Sequence, residues 1–524
     1  MLAQICSVAE LLEASAERDP AKVALRTGRA AVTYGELDAW ANRIARALRA
    51  SGVKRGDRVM IFGDNGADAA AAIWGALKAD AAFFVVNAQV KADKLAYMLD
   101  DAEASAVIAD ALLAPALVEA LRTARTRPAT FVHGAATPRA LEAASRAGVE
   151  RVSSFSEAVD AQPSSPLPRR TVDVDLAAII YTSGSTGEPK GAMLTHRNVA
   201  FASWSVTTLL RNTADDVILG VVPLAFNYGL YQWLMTVRLG ATLVLERSFA
   251  FPIAILQRCA ETGVTGFPGV PTMFALLGEL KDVPVAPLTS VRYVTSTAAA
   301  LQPKHFDAIR RWFPNAAIYS MYGLTECKRV SWLPPEDLER KAGSVGIPIP
   351  GTEFWVVDAD GARHDRDAEG ELVVRGSHIM AGYWRKPEIT ARFLRAGSMP
   401  GEVLFYTGDC CRLDADGYLT FVARMDEVIK TRGEKVAPRE VEAALERIDG
   451  VRECAVIGVP DDLLGHAVKA FVVLADEYKG RYSERELQLR LGQMLEAYMV
   501  PKHVEFRDAL PKTAMGKITK KGLA

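Results

Sequence analysis

The stretch AAIIYTSGSTGEPKG, Ala177 to Gly191, decides how the rest of the chain is read. Its first five residues, Ala177–Tyr181, form a short apolar run with the pattern of a buried strand. The residues after it are unusual for a turn. Thr182, Ser183, Ser185 and Thr186 are interspersed with Gly184 and Gly187, and Lys190 and Gly191 close the run. Glycines let backbone N–H groups approach an anion, hydroxyls donate hydrogen bonds, and a lysine adds a point charge. A strand leading into such a loop suits a polyphosphate. The run is not a Walker A loop, because Lys190 is followed by Gly191 rather than by Ser or Thr. No G-x-S-x-G frame fits, so it is not a nucleophile elbow. The plain alternative is a flexible surface loop.

Moving outward, helical and strand-like segments alternate. Arg197–Leu210 reads as a helix, and Val217–Val222, Ala241–Leu245, Val264–Phe267, Val291–Thr295 and Ala316–Tyr319 read as strands. Helical patterns at Val270–Leu280 and Pro303–Phe313 separate them. This rhythm predicts a mostly parallel sheet flanked by helices. After Gly343 the texture changes. Glu353–Val357, Glu371–Arg375 and Tyr418–Val422 are strands joined by turns such as Asp358–Gly361 and Asp414–Gly417, which predicts a compact β subdomain. The last hundred or so residues read as a small α+β domain: helix at Glu440–Arg447, strands at Glu453–Gly458 and Ala467–Leu474, helix at Ser483–Leu495.

Bulk properties exclude several classes. With 62 basic against 63 acidic residues the net charge is −1, which gives no pull toward nucleic acid or an anionic membrane. No apolar run reaches the ~18 residues of a membrane span. Ala69–Leu77, bounded by Asp68 and Lys78, reads as a buried core helix, and the N-terminal stretch as the start of an amphipathic helix rather than a signal peptide. Six cysteines show no zinc spacing, as expected of reduced thiols in a cytoplasmic protein; the adjacent Cys410 and Cys411 leave a vicinal disulfide as the alternative.

Four further motifs follow the Gly-rich run in order: Tyr322-Gly-Leu-Thr-Glu326, Tyr406-Thr-Gly-Asp409 with Arg424, Asp426–Gly433 (DEVIKTRG), and Pro511–Lys517 (PKTAMGK). Together with the Gly-rich run they resemble the adenylate-forming superfamily of acyl-CoA synthetases, peptide-synthetase adenylation domains and luciferases, and the resemblance covers essentially the whole chain. It implies an α/β multidomain fold. The large N-terminal domain, residues 1–424, would hold two βαβ-type subdomains and a β subdomain, and a small mobile α+β domain would span 425–524. It implies that Thr182, Ser183, Gly184, Ser185, Thr186, Gly187, Lys190, Tyr322, Gly323, Thr325, Asp409 and Arg424 bind the nucleotide. Asp409 would accept the ribose hydroxyls, as an ionised carboxylate can. Glu326 would hold Mg²⁺, which takes hard oxygen ligands completed by substrate phosphates. Asp426 would be the hinge. Lys517 would act in adenylation, Lys430 and the Gly433 loop in the thiol step, and Glu326 and Thr182 would share in catalysis.

The resemblance also places an acyl pocket at Phe226, Asn227 and Gly229 and at Thr297, Ala298 and Ala299. Adenylation domains for α-amino acids carry an aspartate where Asn227 stands, so an α-amino acid is not expected. Many acyl-CoA ligases carry histidine where Phe226 stands, and this sequence departs from them there. The pattern around Asn227 is similar to that of aryl-acid-activating members. Asn227 either hydrogen-bonds a ring substituent or caps or orders the loop without touching substrate. The alanines that partly replace glycines would narrow the cavity toward a small or flat acid. The implied reaction joins a carboxylic acid to ATP, releases pyrophosphate, and passes the acyl group to coenzyme A. A separate carrier protein's phosphopantetheine is the alternative thiol, an amide-forming step another outcome, and a catalytically silent nucleotide-binding protein the non-enzyme alternative.

Overall fold

The computed structural model describes residues 7–183, 189–281, 283–297, 301, 303–425, 427–431, 434–461, 465–495, 497–513 and 518–523. The chain divides into two compact units. The first comprises 1–340, 348–353 and 375–403, and the second 341–347, 354–374 and 404–524.

The first unit is built on two sheets. In one, the strand order is Gly382–Tyr383, Pro189–Thr195, Leu176–Ser183, Ala82–Asn87, Arg58–Gly63, Ala104–Asp110, Ala129–His133 and Val152–Ser154. Pairing is parallel from Leu176–Ser183 to Val152–Ser154, and antiparallel between Leu176–Ser183, Pro189–Thr195 and Gly382–Tyr383. In the other, the order runs Ser331–Leu333, Ala317–Tyr322, Tyr293–Ser296, Gly266–Gly269, Val217–Gly220, Thr242–Leu245, Val23–Thr27 and Ala30–Thr33. All pairs there are parallel except the two at the ends. Parallel strands need covered faces, and helices supply the cover. Helix Asn227–Leu239 is buried from Tyr228 to Val237, as befits a helix apolar all round. Its Trp233 meets Trp74 of the equally buried helix Ala67–Lys78 edge to face at 6.1 Å, and the Trp233 indole N–H donates to the Ala70 carbonyl at 3.0 Å. The expected buried helix near Ala69–Leu77 is thus present.

Local sequence sets several starts. Thr33 with Glu36 and Thr195 with Asn198 form reciprocal capping boxes that begin helices Tyr34–Ala50 and His196–Leu209. The latter box turns the chain from strand to helix without a linker.

The second unit contains the antiparallel strands Thr352–Val357, Ala368–Gly376, Val403–Leu413 and Leu419–Arg424, whose outermost residues fall in the first unit. It also contains a sheet of Glu434–Val436, Ile429–Thr431, Gly465–Leu474, Val451–Asp461 and His503–Phe506, with helices Pro438–Leu445 and Glu484–Leu491. The expected helix at Ser483–Leu495 stops at Leu491, where Gly492 becomes its C-cap. Cys259, Cys327, Cys410, Cys411 and Cys454 are all free thiols, so Cys410 and Cys411 form no vicinal bond. No helix among the described residues is long and apolar enough to cross a membrane.

Two buried histidines make the first unit acid-sensitive. The His196 ring accepts the Val8 N–H at Nδ1 at 2.9 Å, and the His378 ring stacks on Phe201 at 5.7 Å. Burial pushes each down to about 4. The unfolded chain therefore binds more protons between the ordinary value near 6.5 and 4. Stability is complete above that window and falls as pH drops through it, with a limiting slope of about 1.4 kcal/mol per pH unit for each ring. His378→Leu is expected to remove one ring's share of that slope, read from denaturant midpoints between pH 4 and 7; an unchanged slope would refute the assignment.

Candidate active site

Two paired strands flank the Gly-rich run in sequence. Leu176–Ser183 and Pro189–Thr195 pair antiparallel, with Thr182 opposite Lys190 and Ser183 opposite Pro189. The expected strand is present, and Lys190 lies on the returning strand rather than in the loop. The Thr182 hydroxyl lies 3.4 Å from the Lys190 carbonyl oxygen. Gly184, Ser185, Thr186 and Gly187 lie outside the described residues. Gly191 has a packing role that its sequence context does not reveal. A Cβ there would stand 2.5 Å from the Ile179 Cγ2 on the facing strand.

The outer edge of this hairpin carries Gly382–Tyr383, with Tyr383 opposite Ala192 and Gly382 opposite Met193. Lys190 Nζ stands 5.9 Å from the Tyr383 ring centroid, and the Tyr383 hydroxyl donates to Glu326 Oε1 at 2.6 Å. The Glu326 carbonyl in turn accepts the Met380 N–H at 2.8 Å. Asp101 braces the same corner. Its carboxylate accepts the Tyr181 hydroxyl at 2.7 Å, and its carbonyl accepts the Trp384 indole N–H at 2.8 Å. Burial and then the Asp101 hydrogen bond push the Tyr181 phenol up, which keeps it protonated and donating. Lys190 and Glu326, far apart in sequence, are thus joined through Tyr383. Sequence reasoning did not single out Tyr383. A two-residue strand has no periodicity to detect, and only its pairing gives it a place.

Glu326 belongs to the segment after strand Ala317–Tyr322, as do Gly323 and Thr325. Gly323 is exposed, and a Cβ on it would come within 3.1 Å of the Arg329 Cα. A carboxylate held on one oxygen by a phenol keeps its other oxygen for a hard cation, so Glu326 fits the single-carboxylate Mg²⁺ ligation expected of it. Among the described residues no cluster of three or more His, Cys, Asp or Glu side chains could hold a metal by itself.

The acyl-pocket residues lie around helix Asn227–Leu239. Phe226 occupies its N-cap, with no side-chain cap. Asn227 is the first helical residue. Its Oδ1 is buried with no hydrogen-bond partner. Tyr228 donates to or accepts from Thr295 Oγ1 at 2.6 Å, tying the helix to strand Tyr293–Ser296. Thr297 follows that strand, partly buried. Ala298 and Ala299 lie outside the described residues. Gly229 is sterically compelled: a Cβ would sit 2.3 Å from the Val222 carbonyl oxygen.

In the second unit, Asp409 on Val403–Leu413 faces Arg424 on Leu419–Arg424 as a cross-strand pair. The Asp409 side chain is 3% exposed, and one oxygen accepts Arg424 Nη1 at 2.6 Å. Such a charge-assisted bond orients the carboxylate. The Lys430 backbone lies in strand Ile429–Thr431, opposite Lys435. Asp426, Gly433 and Lys517 lie outside the described residues.

Residues 12–384 match the family described as AMP-binding enzyme, and 440–517 its C-terminal domain. A feruloyl-CoA synthase from Amycolatopsis sp is 35% identical over 96% of this chain and 96% of its own. A benzoate CoA ligase from Burkholderia xenovorans LB400 superposes with a TM-score of 0.85 at 28% identity, over 99% of this chain and 100% of that one. An anthranilate CoA ligase in complex with anthranoyl-AMP gives 0.86 at 27%, over 99% of this chain and 96% of that one.

The steric account of Gly229 is directly testable. Gly229→Ala forces backbone to move and is expected to cost about 2 kcal/mol in denaturant unfolding. Gly278→Ala, whose Cβ would meet only the Ala308 Cβ at an ordinary 3.5 Å, should be neutral. Equal effects of the two substitutions would contradict the account.

Proposed function

The chain belongs to the AMP-binding enzyme family, and on that premise we infer that it works as an AMP-forming acid–CoA ligase. A carboxylate oxygen attacks the α-phosphorus of ATP and pyrophosphate leaves. The thiol of coenzyme A then attacks the acyl carbon, its proton passes to solvent, and AMP leaves with the carboxylate oxygen. Such phosphoryl chemistry depends on positioning and charge neutralisation rather than on a strong protein base. The observation that carries the reading is the Lys190–Tyr383–Glu326 corner at the mouth of a Gly-rich hairpin. A cation on the strand that follows a run suited to polyphosphate, linked to a carboxylate through one tyrosine, supports this reading.

In this reading Thr182, Ser183 and Lys190, with the tip Gly184, Ser185, Thr186 and Gly187, hold the phosphates. Glu326 holds Mg²⁺, which neutralises phosphate charge. Tyr322, Gly323 and Thr325 contribute to the nucleotide site, and Asp409, steadied by Arg424, takes the ribose. The functional boundary falls at 424/425, with Asp426 as hinge. Lys517 serves adenylation, and Lys430 with Gly433 serves thioester formation. The acid is small or aromatic: the unpartnered buried Oδ1 of Asn227 is free to accept from a substituent on it. Coenzyme A is favoured over a carrier protein as the thiol.

Pyrophosphate release from ATP and Mg²⁺ should depend on an added carboxylic acid, and an acyl-CoA should appear when coenzyme A is present. Lys517→Ala is expected to slow adenylate formation by about 100-fold or more, a few kcal/mol of transition-state charge stabilisation, with ATP affinity largely kept. Release that is independent of any acid would sink the ligase reading. An unchanged adenylation rate in Lys517→Ala would remove that residue from the step.

A further inference from the structure

Three lysine or arginine side chains are buried among the described residues: Lys78, Lys328 and Arg329. Lys78 is neutralised in the ordinary way, with Asp38 at 2.7 Å, Glu13 at 3.2 Å and the Asn42 amide oxygen at 2.9 Å. Lys328 and Arg329 differ. No carboxylate among the described residues pairs with either. Lys328 Nζ donates to the backbone carbonyl of Asn227 at 3.2 Å and lies 4.7 Å from the Tyr231 ring centroid and 5.2 Å from that of Tyr228. Arg329 packs its guanidinium 5.1 Å from the same Tyr228 ring, and its Nε is buried without a partner. Two aromatic faces and one carbonyl soften the burial of two adjacent cations but leave their charge uncompensated.

The surroundings resemble a binding wall more than a core. Asn227 Oδ1 and Ser296 Oγ are likewise buried without partners. Asn227 touches Lys328, and Ser296 follows Thr295, whose hydroxyl meets Tyr228. Unsatisfied buried polar atoms are costly and uncommon, and several in one neighbourhood point to a polar ligand.

We propose that Lys328 and Arg329 are the specificity determinants of the acyl site and select an acid that carries a second carboxylate. This rests on the ligase reading, which puts Asn227 in the acyl pocket. The reacting carboxylate alone is a poor counter-charge. Its negative charge is lost when the oxygen bonds to phosphorus and the mixed anhydride forms, leaving the cations bare in the intermediate. A second carboxylate keeps its charge through adenylation and thiol attack alike. It can pair with both cations throughout.

The test compares straight-chain acids with the α,ω-dicarboxylic acids of the same length, and benzoate with the benzene dicarboxylates, by kcat/KM for pyrophosphate release. Wild type should prefer at least one dicarboxylate over its partner by at least ~30-fold, the value of a buried charge-assisted pair. Lys328→Met and Arg329→Met should each bring that ratio toward one. Because the ratio is internal to each protein, partial misfolding of a variant cancels. Every dicarboxylate turned over more slowly than its partner by wild type would overturn the proposal. So would variants that lose both acids equally, since the cations would then hold only the reacting group or the fold. If no acid is turned over, the ligase reading fails, and calorimetric titration of the same acids in the presence of ATP decides separately. Dicarboxylate binding that is lost in the variants would sustain the cation site, and no binding would refute it.

Discussion

The antiparallel pairing of Leu176–Ser183 with Pro189–Thr195 is the constraint on which the first unit's chemistry depends. Because Thr182 opposes Lys190, the residues that flank the Gly-rich run in sequence are held side by side. Because a Cβ at Gly191 would press on Ile179, the returning strand can lie this close only with glycine there. The same returning strand receives Gly382–Tyr383 on its free edge, and this brings a phenol between Lys190 and Glu326. A slip of one residue would turn the side chains of the returning strand to the opposite face. The hydrogen bonds that fix the backbone therefore also fix which side chains Tyr383 brings together.

Charge handling separates the scaffold from the working parts. Scaffold cations are paired: Lys78 with two carboxylates, and Arg292 with the buried Asp216, whose carboxyl is lowered despite burial by its bonds to Arg292, Thr213 and Thr265. The Asp409–Arg424 pair is of the same kind, joining the interior of Val403–Leu413 to the end of Leu419–Arg424. Lys328 and Arg329 break the pattern. Buried charge left unpaired by the protein is expensive, and a site that binds an anion is one place where that cost is recovered.

Much of the fold could be read from local pattern. The expected strands from Leu176–Ser183 to Ala317–Tyr322 lie within a few residues of their expected positions, because apolar runs bounded by Gly and Pro leave little choice, whereas strand Pro189–Thr195 and helix Pro252–Thr262 were not expected. The pairing of Val23–Thr27 with Thr242–Leu245, across more than two hundred residues, could not be read. No local signal carries it. Lys190, Glu326, Asp409 and Arg424 could be singled out as candidates because each sits in a motif of distinctive composition. Tyr383, Lys328 and Arg329 were not. No reading singled out the two cations, because the rings they pack against, Tyr228 and Tyr231, lie about a hundred positions away. Their one sequence signal is an apolar frame, Cys327 before and Val330 after.

The central claim is that an acyl adenylate joins the two half-reactions, and oxygen tracing tests it most directly. An acid labelled with ¹⁸O in both carboxylate oxygens, turned over with ATP and coenzyme A, should deliver one ¹⁸O to the phosphate of AMP and none to pyrophosphate. Label in inorganic phosphate or pyrophosphate, or none in AMP while acyl-CoA forms, would contradict the account.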